Sequence, residues 1–562
     1  MENLFGAEFP EAFGSTDGGP DKSKKTILDL PVELLEIVCE YISKLDIKRL
    51  RLASKHLADS VYLRIDRVFI SPNRANLDYL NTILAHPRYK GRVQEIVYDS
   101  TRLASYSTLE RFRKAIVIDE KDIRRAISSR LEEAIEIYGD DSPQYRLLDV
   151  EGIQNNEDGY LTDTVKEILL RYEDDFSRDV LARNATMMST EDSYAVYQAL
   201  YHEEQEIVKQ QLDADALQRA LAGFPKLKRV TLTSEAWWPW NIRPRYNTPF
   251  HRSLPPGFRK PLIYTDRDRP GPLHNVSWYP DAYSSECRCY KVILSALLSM
   301  PIPSIEEFIV DSYNLHNGIP EHIFDSGSSI FENTRLMFQR TPLKRLRLSF
   351  CYCSCADPNG RQRSIDNNIV IPLLLSELKQ LEHLDLSIED RGNDSLVLSL
   401  IKDQEKARLK TLTLREFRMP DEALFNTLVA LKNAEHITLY HMSNIIVPTR
   451  WAQLLQRLKE HYATTMEGTK PHYTIIESIP LGEPDNFSST AERFSHLVDE
   501  EVDAFLYGGA DCPFLEHTEA EDEWNQMKTH VGWRVHDRDW EARERMAEFC
   551  EREGMLEWEE EM

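Results

Sequence analysis

The sequence predicts an α/β fold in which a short helical segment at the N-terminus precedes a long run of strand–helix units. Three observations predict it. An apolar-x-x-apolar-x-apolar pattern recurs between residues 65 and 439, and helix-like apolar spacing lies between its copies. A strongly amphipathic helical stretch occupies residues 26–64. Helical insertions and an acidic, helical C-terminus complete the predicted organisation.

The recurring pattern predicts one strand per copy. The copies are IDRVFI (65–70), VQEIVY (93–98), LKRVTL (227–232), IEEFIV (305–310), LKRLRL (343–348), LEHLDL (381–386), LKTLTL (409–414) and AEHITL (434–439). A strand and a helix that repeat every ~20 to 40 residues are typical of a leucine-rich-repeat-like solenoid. The units are irregular, since only LKRLRL has the Asn or Cys of that repeat three residues later, at Cys351. An ordinary α/β domain with parallel strands is the alternative.

Interruptions of the pattern set the predicted domain boundaries. Residues 1–25 are rich in Gly, Ser, Asp and Lys and are predicted to be disordered. The repeat region spans 65–480 and carries a charged, helical insertion at 100–222. A second insertion, at 234–286, is too rich in proline to form a helix or a central strand. Residues 481–562 form an acidic extension.

Composition restricts the class of function. The chain has 562 residues and a net charge of -25, which argues against binding to nucleic-acid phosphates or to anionic membranes. Eight cysteines are few for a disulfide scaffold and favour a reducing compartment. No basic and apolar leader begins the chain, and no apolar run reaches the ~18 residues of a membrane span. We therefore expect a cytoplasmic or nuclear protein.

The stretch LDLPVELLEIVCEYISKLDIKRLRLASKHL (28–57) is more apolar than a surface helix needs to be. Pro31 suits the start of a helix, where its missing N–H is not required. At about 100° per residue, an arc of about 160° collects the apolar side chains Leu34, Leu35, Ile37, Val38, Tyr41, Ile42 and Leu45. Helices totalling ~35 residues cannot bury this surface alone. Either the rest of the chain covers it or a partner protein does.

The same stretch resembles an F-box: Leu-Pro, an acidic residue, paired aliphatic residues, a break near Leu45-Asp46, then RLRLASK. Combined with the leucine-rich units, the chain resembles the fungal F-box/leucine-rich-repeat proteins. This resemblance implies that the helices bind a Skp-type linker protein and, through it, a cullin. The implied linker-binding residues are Leu30, Pro31, Leu34, Leu35, Ile37, Val38, Ile42, Leu45, Leu50, Leu52 and Ser54. His56 stands near the position where the family usually has a Trp. The alternative is that the helices only cap the open end of the solenoid.

Polar residues between the leucines of successive strands are candidates for contact with a target protein. They are Arg345, Arg347, His383, Asp385, Arg415 and Tyr440. A second candidate is the aromatic insertion, with Trp237, Trp238 and Trp240, which are residue types common at interface hot spots. The alternatives are a merely solvated strand face and aromatic side chains that fold back onto their own domain.

The sequence carries no motif for catalysis. It lacks a phosphate loop, a dinucleotide-binding fingerprint and a nucleophile elbow. The cysteines at 287, 289, 351, 353 and 355 are spaced by single residues, which is poor for zinc, so no metal or other cofactor is expected. The resemblance therefore implies a non-catalytic, substrate-recognition adaptor of an SCF-type cullin–RING ubiquitin ligase. The alternatives are a solenoid scaffold outside any ligase and an enzyme whose site lies within the insertions.

Overall fold

A computed structural model gives the architecture of the chain. It describes residues 27–116, 166, 170, 175–234, 236, 239–240, 243–244, 246–261, 287–300, 304–312, 318–324, 328–351, 373–388, 408–415, 417, 421–440, 442, 448–465, 470–479 and 494–514. The predicted disordered N-terminus, 1–25, lies outside these residues. The chain divides into two compact units, a helical unit of residues 1–65 with 560–562 and a sheet unit of residues 66–559.

The described residues of the helical unit, 27–65, form three short α-helices, preceded by a 3-10 turn. They are α1 (Val32–Tyr41), α2 (Lys44–Ala53) and α3 (Lys55–Ser60). The hydroxyl oxygen of Ser43 accepts a hydrogen bond from the Asp46 backbone N–H at 3.0 Å, which caps α2 and ends the first helix at Tyr41. The predicted continuation of this helix to Leu45 is therefore wrong.

The sheet unit is built on one long sheet. Its strands are β1 (Arg67–Ile70), β2 (Glu95–Asp99), β3 (Arg229–Thr233), β6 (Glu307–Asp311), β7 (Ile319–Pro320), β8 (Arg345–Cys351), β9 (His383–Ile388), β10 (Thr411–Arg415), β11 (His436–Tyr440), β12 (His472–Ile479) and β13 (Phe494–Val498), while β4 (Pro239–Trp240) and β5 (Arg243–Pro244) form a separate hairpin. Nine strands pair in parallel in chain order, from β1 to β12. The predicted α/β class is confirmed, with a nine-strand parallel sheet.

The described helices of the sheet unit follow the strands. They are α4 (Arg74–Ala85), α5 (Pro87–Lys90), α6 (Asp175–Thr186), α7 (Thr190–Lys209), α8 (Leu212–Gly223), α9 (Pro249–Ser253), α10 (Arg288–Ser299), α11 (Ser329–Arg340), α12 (Asp421–Val429), α13 (Pro448–Thr464) and α14 (Glu500–Gly508). Successive helices pack on one another: α4 on α8, α8 on α10, α10 on α11, and later α12 on α13 and α13 on α14. This order matches the order of the strands.

The apolar residues of the recurring pattern form the core of the sheet unit, because alternate residues of a strand point to the same face. The fourth position of every predicted copy lies in one register row and is essentially inaccessible to solvent. This row is Val68, Ile96, Val230, Phe308, Leu346, Leu384, Leu412 and Ile437. All eight predicted strands are present, and the shared burial explains why the pattern identified them.

Two predictions about the edges of the repeat region need correction. The proline-rich insertion was expected to hold no helix, but Pro249 begins the short helix α9, with Thr248 as its cap. The acidic extension was expected to begin at 481, yet β13 pairs with β12 and α14 contacts β12. The sheet unit therefore continues beyond residue 480.

Candidate functional site: an exposed helix face and a polar strand face

Helix α1 carries two apolar stripes. Leu35 and Cys39 face inward and are buried with Ile47, Leu57 and Val61. A second stripe, spaced i, i+3, i+4, i+7, faces outward; we call it the α1 stripe, and its members are Leu34, Ile37, Val38 and Tyr41. These side chains are 46, 50, 38 and 84% exposed, respectively. The unit thus completes its own core and leaves an apolar surface uncovered.

The other predicted linker-binding residues divide by environment. Pro31 and Leu52 are exposed, Leu52 at 87%. Leu30, Ile42 and Leu50 are partly buried and pack against the core of the helical unit. Leu35 belongs to that core, and the side chain of Leu45 lies outside the described part of the chain. The single apolar arc expected from the sequence is therefore divided into a buried stripe, which packs on Ile47, Leu57 and Val61, and an exposed stripe.

Ser54 has a local structural role. Its hydroxyl oxygen accepts a hydrogen bond from the Leu57 backbone N–H at 3.4 Å and caps helix α3. The Arg51 side chain donates to the backbone carbonyl of Val61 and ties α2 to the end of the unit. Capping alone accounts for a serine at position 54.

A charged ladder crosses the strand face of the sheet unit. Its members, Arg67, Glu95, Arg229, Glu307 and Arg345, occupy one register row on five successive strands. Successive N–O distances are 2.8, 3.8, 2.6 and 3.9 Å. Opposite charges facing each other across strands stabilise pairing modestly. Glu307 lies much closer to Arg229 than to Arg345, so Arg345 is the least compensated cation of the ladder.

Beyond Arg345 the same row becomes weakly charged. His383 Nδ1 lies 2.9 Å from the hydroxyl oxygen of Thr411. Burial lowers the pKa of His383, and the charge of Arg345 adds to this effect. The imidazole is therefore neutral at neutral pH.

A polar cluster lies two to four residues further along the strands. Arg415 donates from Nε and Nη2 to the two carboxylate oxygens of Asp385, both at 3.1 Å. Arg347 Nη1 is 3.2 Å from Asp311 Oδ1, and Arg347 Nε is 3.4 Å from Asp385 Oδ2. The Arg415 guanidinium lies 5.4 Å from the ring centre of Tyr440. The structure thus brings the predicted target-contact residues together.

Exposure distinguishes the members of this predicted surface. Arg347 and Arg415 are 8 and 7% exposed, because they are embedded in the cluster. Arg345 is exposed, and His383, Asp385 and Tyr440 are half-buried. The accessible part of the strand face is therefore the row beside the cluster rather than the cluster itself.

The aromatic insertion folds onto the first strands. Tyr246 is buried with Phe69, Val97 and Ala236, and its hydroxyl donates to Asp311 Oδ2 at 2.5 Å. Its ring meets Phe69 edge-on at 6.1 Å. Trp237 and Trp238 lie outside the described residues, as does the side chain of Trp240. At Tyr246, the insertion covers apolar strand surface, as the fold-back alternative expects.

Several buried ionisable groups of the sheet unit are paired. Burial disfavours ionisation of Asp213, but the hydrogen bonds and charge of Arg288 outweigh burial and lower the pKa of Asp213. Arg288 binds both carboxylate oxygens at 2.8 Å, and the Tyr98 hydroxyl adds a bond of 2.6 Å. Burial raises the pKa of Glu204, which Arg102 contacts at 2.7 Å. The first pair joins α8 to α10 and, through Tyr98, to β2, and the second joins α7 to the segment that follows β2.

A groove of about 420 Å³ runs between α4 and α8. It is lined by Arg74, Leu77, Asn81, Leu212, Asp215, Gln218 and Arg219. The buried acids Asp99, Glu204 and Asp213 do not line it. Among the described residues, no group of three or more His, Cys, Asp or Glu side chains is placed to hold a metal ion. Cys287 and Cys289 are buried with their sulfurs 3.7 Å apart, whereas Cys353 and Cys355 lie outside the described residues.

Comparison with known proteins provides no family assignment. No protein-family model matches the chain, and a search of curated proteins finds no match. Within the described residues, no helix combines the length and apolar character needed to cross a membrane.

Proposed function

We propose that this protein is a non-catalytic, substrate-recognition adaptor of an SCF-type cullin–RING ubiquitin ligase, acting in the cytoplasm or nucleus. The helical unit binds a Skp-type linker protein through the α1 stripe. The strand face of the sheet unit binds a target protein. The chain contributes proximity between target and ligase and performs no chemistry itself.

The α1 stripe is the observation that carries the proposal. Leu34 lies beside the fully buried Leu35, so the same helix supplies a core face and an outward apolar face. Contiguous apolar patches that remain exposed on a folded protein commonly mark sites of protein–protein interaction. The F-box-like order of residues in this stretch gives the partner class. The remaining support is the N-terminal position of the unit before a strand-rich region.

The sheet supports a solenoid of leucine-rich-repeat type. Each of the nine parallel strands pairs with the strand that follows it among them, whereas the strand order of a doubly wound α/β domain reverses at a switch point. A sheet extended in chain order presents one long strand face. Such a face suits a protein target better than a small apolar ligand.

Capture of a recombinant Skp-type linker tests the proposal. The double variant Leu34→Asp with Ile37→Asp is expected to abolish capture, because two charges then enter the apolar contact. Leu336→Asp is the matched control, since Leu336 is a similarly exposed leucine on α11 of the sheet unit, and it is expected to leave capture intact. Ile42 is unsuitable for this test because it packs against the core.

The cap alternative predicts a different outcome. If the α1 stripe only covers the end of the solenoid, the double variant lowers the melting temperature of the sheet unit. An unchanged melting temperature together with lost capture supports the adaptor. Normal capture by the double variant would refute it.

A further inference from the structure

Strand β8 carries two arginines whose side chains are incompletely paired with acidic groups. Arg345 and Arg347 lie two residues apart on β8, on the same face and about 7 Å from each other along the strand. They differ in burial, since Arg345 is exposed and Arg347 is 8% exposed. Arg345 lacks a close counter-charge, and Arg347 lacks hydrogen-bond acceptors for part of its guanidinium group.

Arg345 is short of a counter-charge. Glu307, the carboxylate nearest to it among the described residues, is 3.9 Å away and is already bound by Arg229 at 2.6 Å. Its side chain makes no hydrogen bond to any other described residue. One carboxylate thus serves two arginines, and Arg345 is the one left partly uncompensated.

Arg347 is short of hydrogen-bond acceptors. Its Nη1 reaches Asp311, but the buried Nη2 has no hydrogen-bond partner among the described residues, and Nε lies 3.4 Å from Asp385 without forming a hydrogen bond. Charge-assisted N–H···O bonds are typically ~2.7–2.9 Å, so both ion pairs of Arg347 are long. A buried donor without an acceptor is costly and calls for a ligand, a water or an ion.

A second unpaired polar group lies beside Arg347 on the next strand. The buried hydroxyl of Ser387 has no hydrogen-bond partner among the described residues. In the β8–β9 register, Arg347 pairs with Asp385, which places Ser387 diagonally across from Arg347 on the same face. Diagonal neighbours are ~7–8 Å apart, within the reach of an arginine side chain. The unpaired atoms here are N–H donors of Arg347 and one hydroxyl, which can either donate or accept.

The carboxylates of the cluster are already engaged. Asp385 receives two hydrogen bonds from Arg415, and Asp311 receives one from Tyr246. An incoming group must therefore bring its own acceptor oxygens. A negative charge is favoured over a neutral acceptor because Arg345 supplies the uncompensated positive charge at the entrance.

We propose that β8 is the docking point for an acidic side chain of a protein target, which pairs with the exposed Arg345, while the buried and incompletely paired Arg347 behind it adds positive charge beneath the contact. The oxygens of a carboxylate or of a phosphorylated residue have the required chemistry. This inference rests on the proposed function of the strand face as the target-binding surface. It specifies the class of target: one that presents an acidic segment, despite the net negative charge of the whole chain.

Two matched peptides test the proposal on the full chain without any linker. A fluorescein-labelled octapeptide of alternating Glu and Gly is titrated, and a Gln–Gly octapeptide of equal length is its control. Fluorescence anisotropy at low ionic strength is expected to show at least about tenfold tighter binding of the Glu peptide, with weakening as salt rises. Equal affinity for the two peptides would overturn the proposal.

Variants locate the binding to β8. Arg345→Gln is expected to weaken Glu-peptide binding about tenfold, the effect of ~1.4 kcal/mol. It replaces an exposed side chain, so its folding is not at risk. Arg335→Gln on α11 is the control, because Arg335 is a partly exposed arginine that pairs with Glu377 on the helical side, and it should bind normally. An unchanged affinity in Arg345→Gln refutes the assignment.

Competition with inorganic phosphate distinguishes an acidic side chain of a target from free phosphate as the group that β8 binds. Phosphate that displaces the Glu peptide only at much higher concentration supports a target side chain. Phosphate that binds more tightly than the peptide overturns that assignment. Linker capture is independent of these measurements, so failure of the peptide test and failure of the adaptor role are distinguishable.

Discussion

The neighbouring residues Leu34 and Leu35 provide a sharp test of how helix α1 is used. Both are leucines on the same helical turn, but Leu35 is fully buried in the core of the helical unit and Leu34 is 46% exposed. Truncation of each to alanine removes the same atoms from two different environments. The two variants should therefore affect different measurements.

The magnitudes follow from burial. Leu35→Ala removes a fully buried side chain and should destabilise the helical unit by ~2–5 kcal/mol. Full burial of a leucine is worth ~1.5–3 kcal/mol, and Leu34 has about half of its surface left to bury in a partner. Leu34→Ala should therefore weaken linker binding by ~1 kcal/mol, or about fivefold, with a smaller loss of stability than Leu35→Ala.

The assay combines two readouts on the same proteins. Surface-immobilised linker measures affinity, and scanning calorimetry measures unfolding. Leu34→Ala should change mainly the first and Leu35→Ala mainly the second. Equal destabilisation by the two substitutions, or unaltered affinity in Leu34→Ala, would refute the assignment of the α1 stripe to a partner.

Three further outcomes are expected. Ser54→Ala should destabilise the helical unit by ~1 kcal/mol through loss of the α3 cap, measured by thermal unfolding, and a loss of linker affinity without any loss of stability would contradict the capping role. Arg288→Met should destabilise the sheet unit by ~3–5 kcal/mol in urea unfolding, because it leaves the Asp213 carboxylate buried without its cation; a change below ~1 kcal/mol would contradict the geometry. Burial raises the pKa of Asp99 from 3.8 to about 6, so its favourable contribution is complete below pH ~3.8 and is lost as pH rises through 6. Asp99→Asn should therefore gain more stability relative to the parent chain at pH 7.5 than at pH 4.5, and an equal effect at both values would contradict this shift.

The strands were predictable from sequence because each six-residue copy of the apolar-x-x-apolar-x-apolar pattern marks the buried residues of one strand. Leu346 and Leu384 sit at the fourth position of their copies and are buried by the same arrangement of neighbours. Strand β12 escaped the pattern because Lys470 stands where the pattern has its first apolar residue, although Tyr473 and Ile475 continue the buried rows of Ile437 and Leu439. Its place in the sheet depends on pairing with β11, which is a non-local contact.

The candidate sites were predictable in position but not in detail. The excess apolar surface of residues 28–57 indicated a partner, whereas the division into buried Leu35 and exposed Leu34 depends on the packing of Leu35 against Ile47, Leu57 and Val61 of later segments. The polar residues between the leucines indicated Arg347 as a surface residue. Only the cross-strand carboxylates Asp311 and Asp385, distant in sequence, show that it is buried.

The order of the strands bears on how the chain is made. Because each strand of the parallel sheet pairs with the next one in sequence, the polypeptide emerging from a ribosome always finds its template already synthesised. No early strand has to wait for a distant late one before it acquires a neighbour. Assembly from the first strand onward, during translation, is therefore compatible with every pairing from β1 to β12.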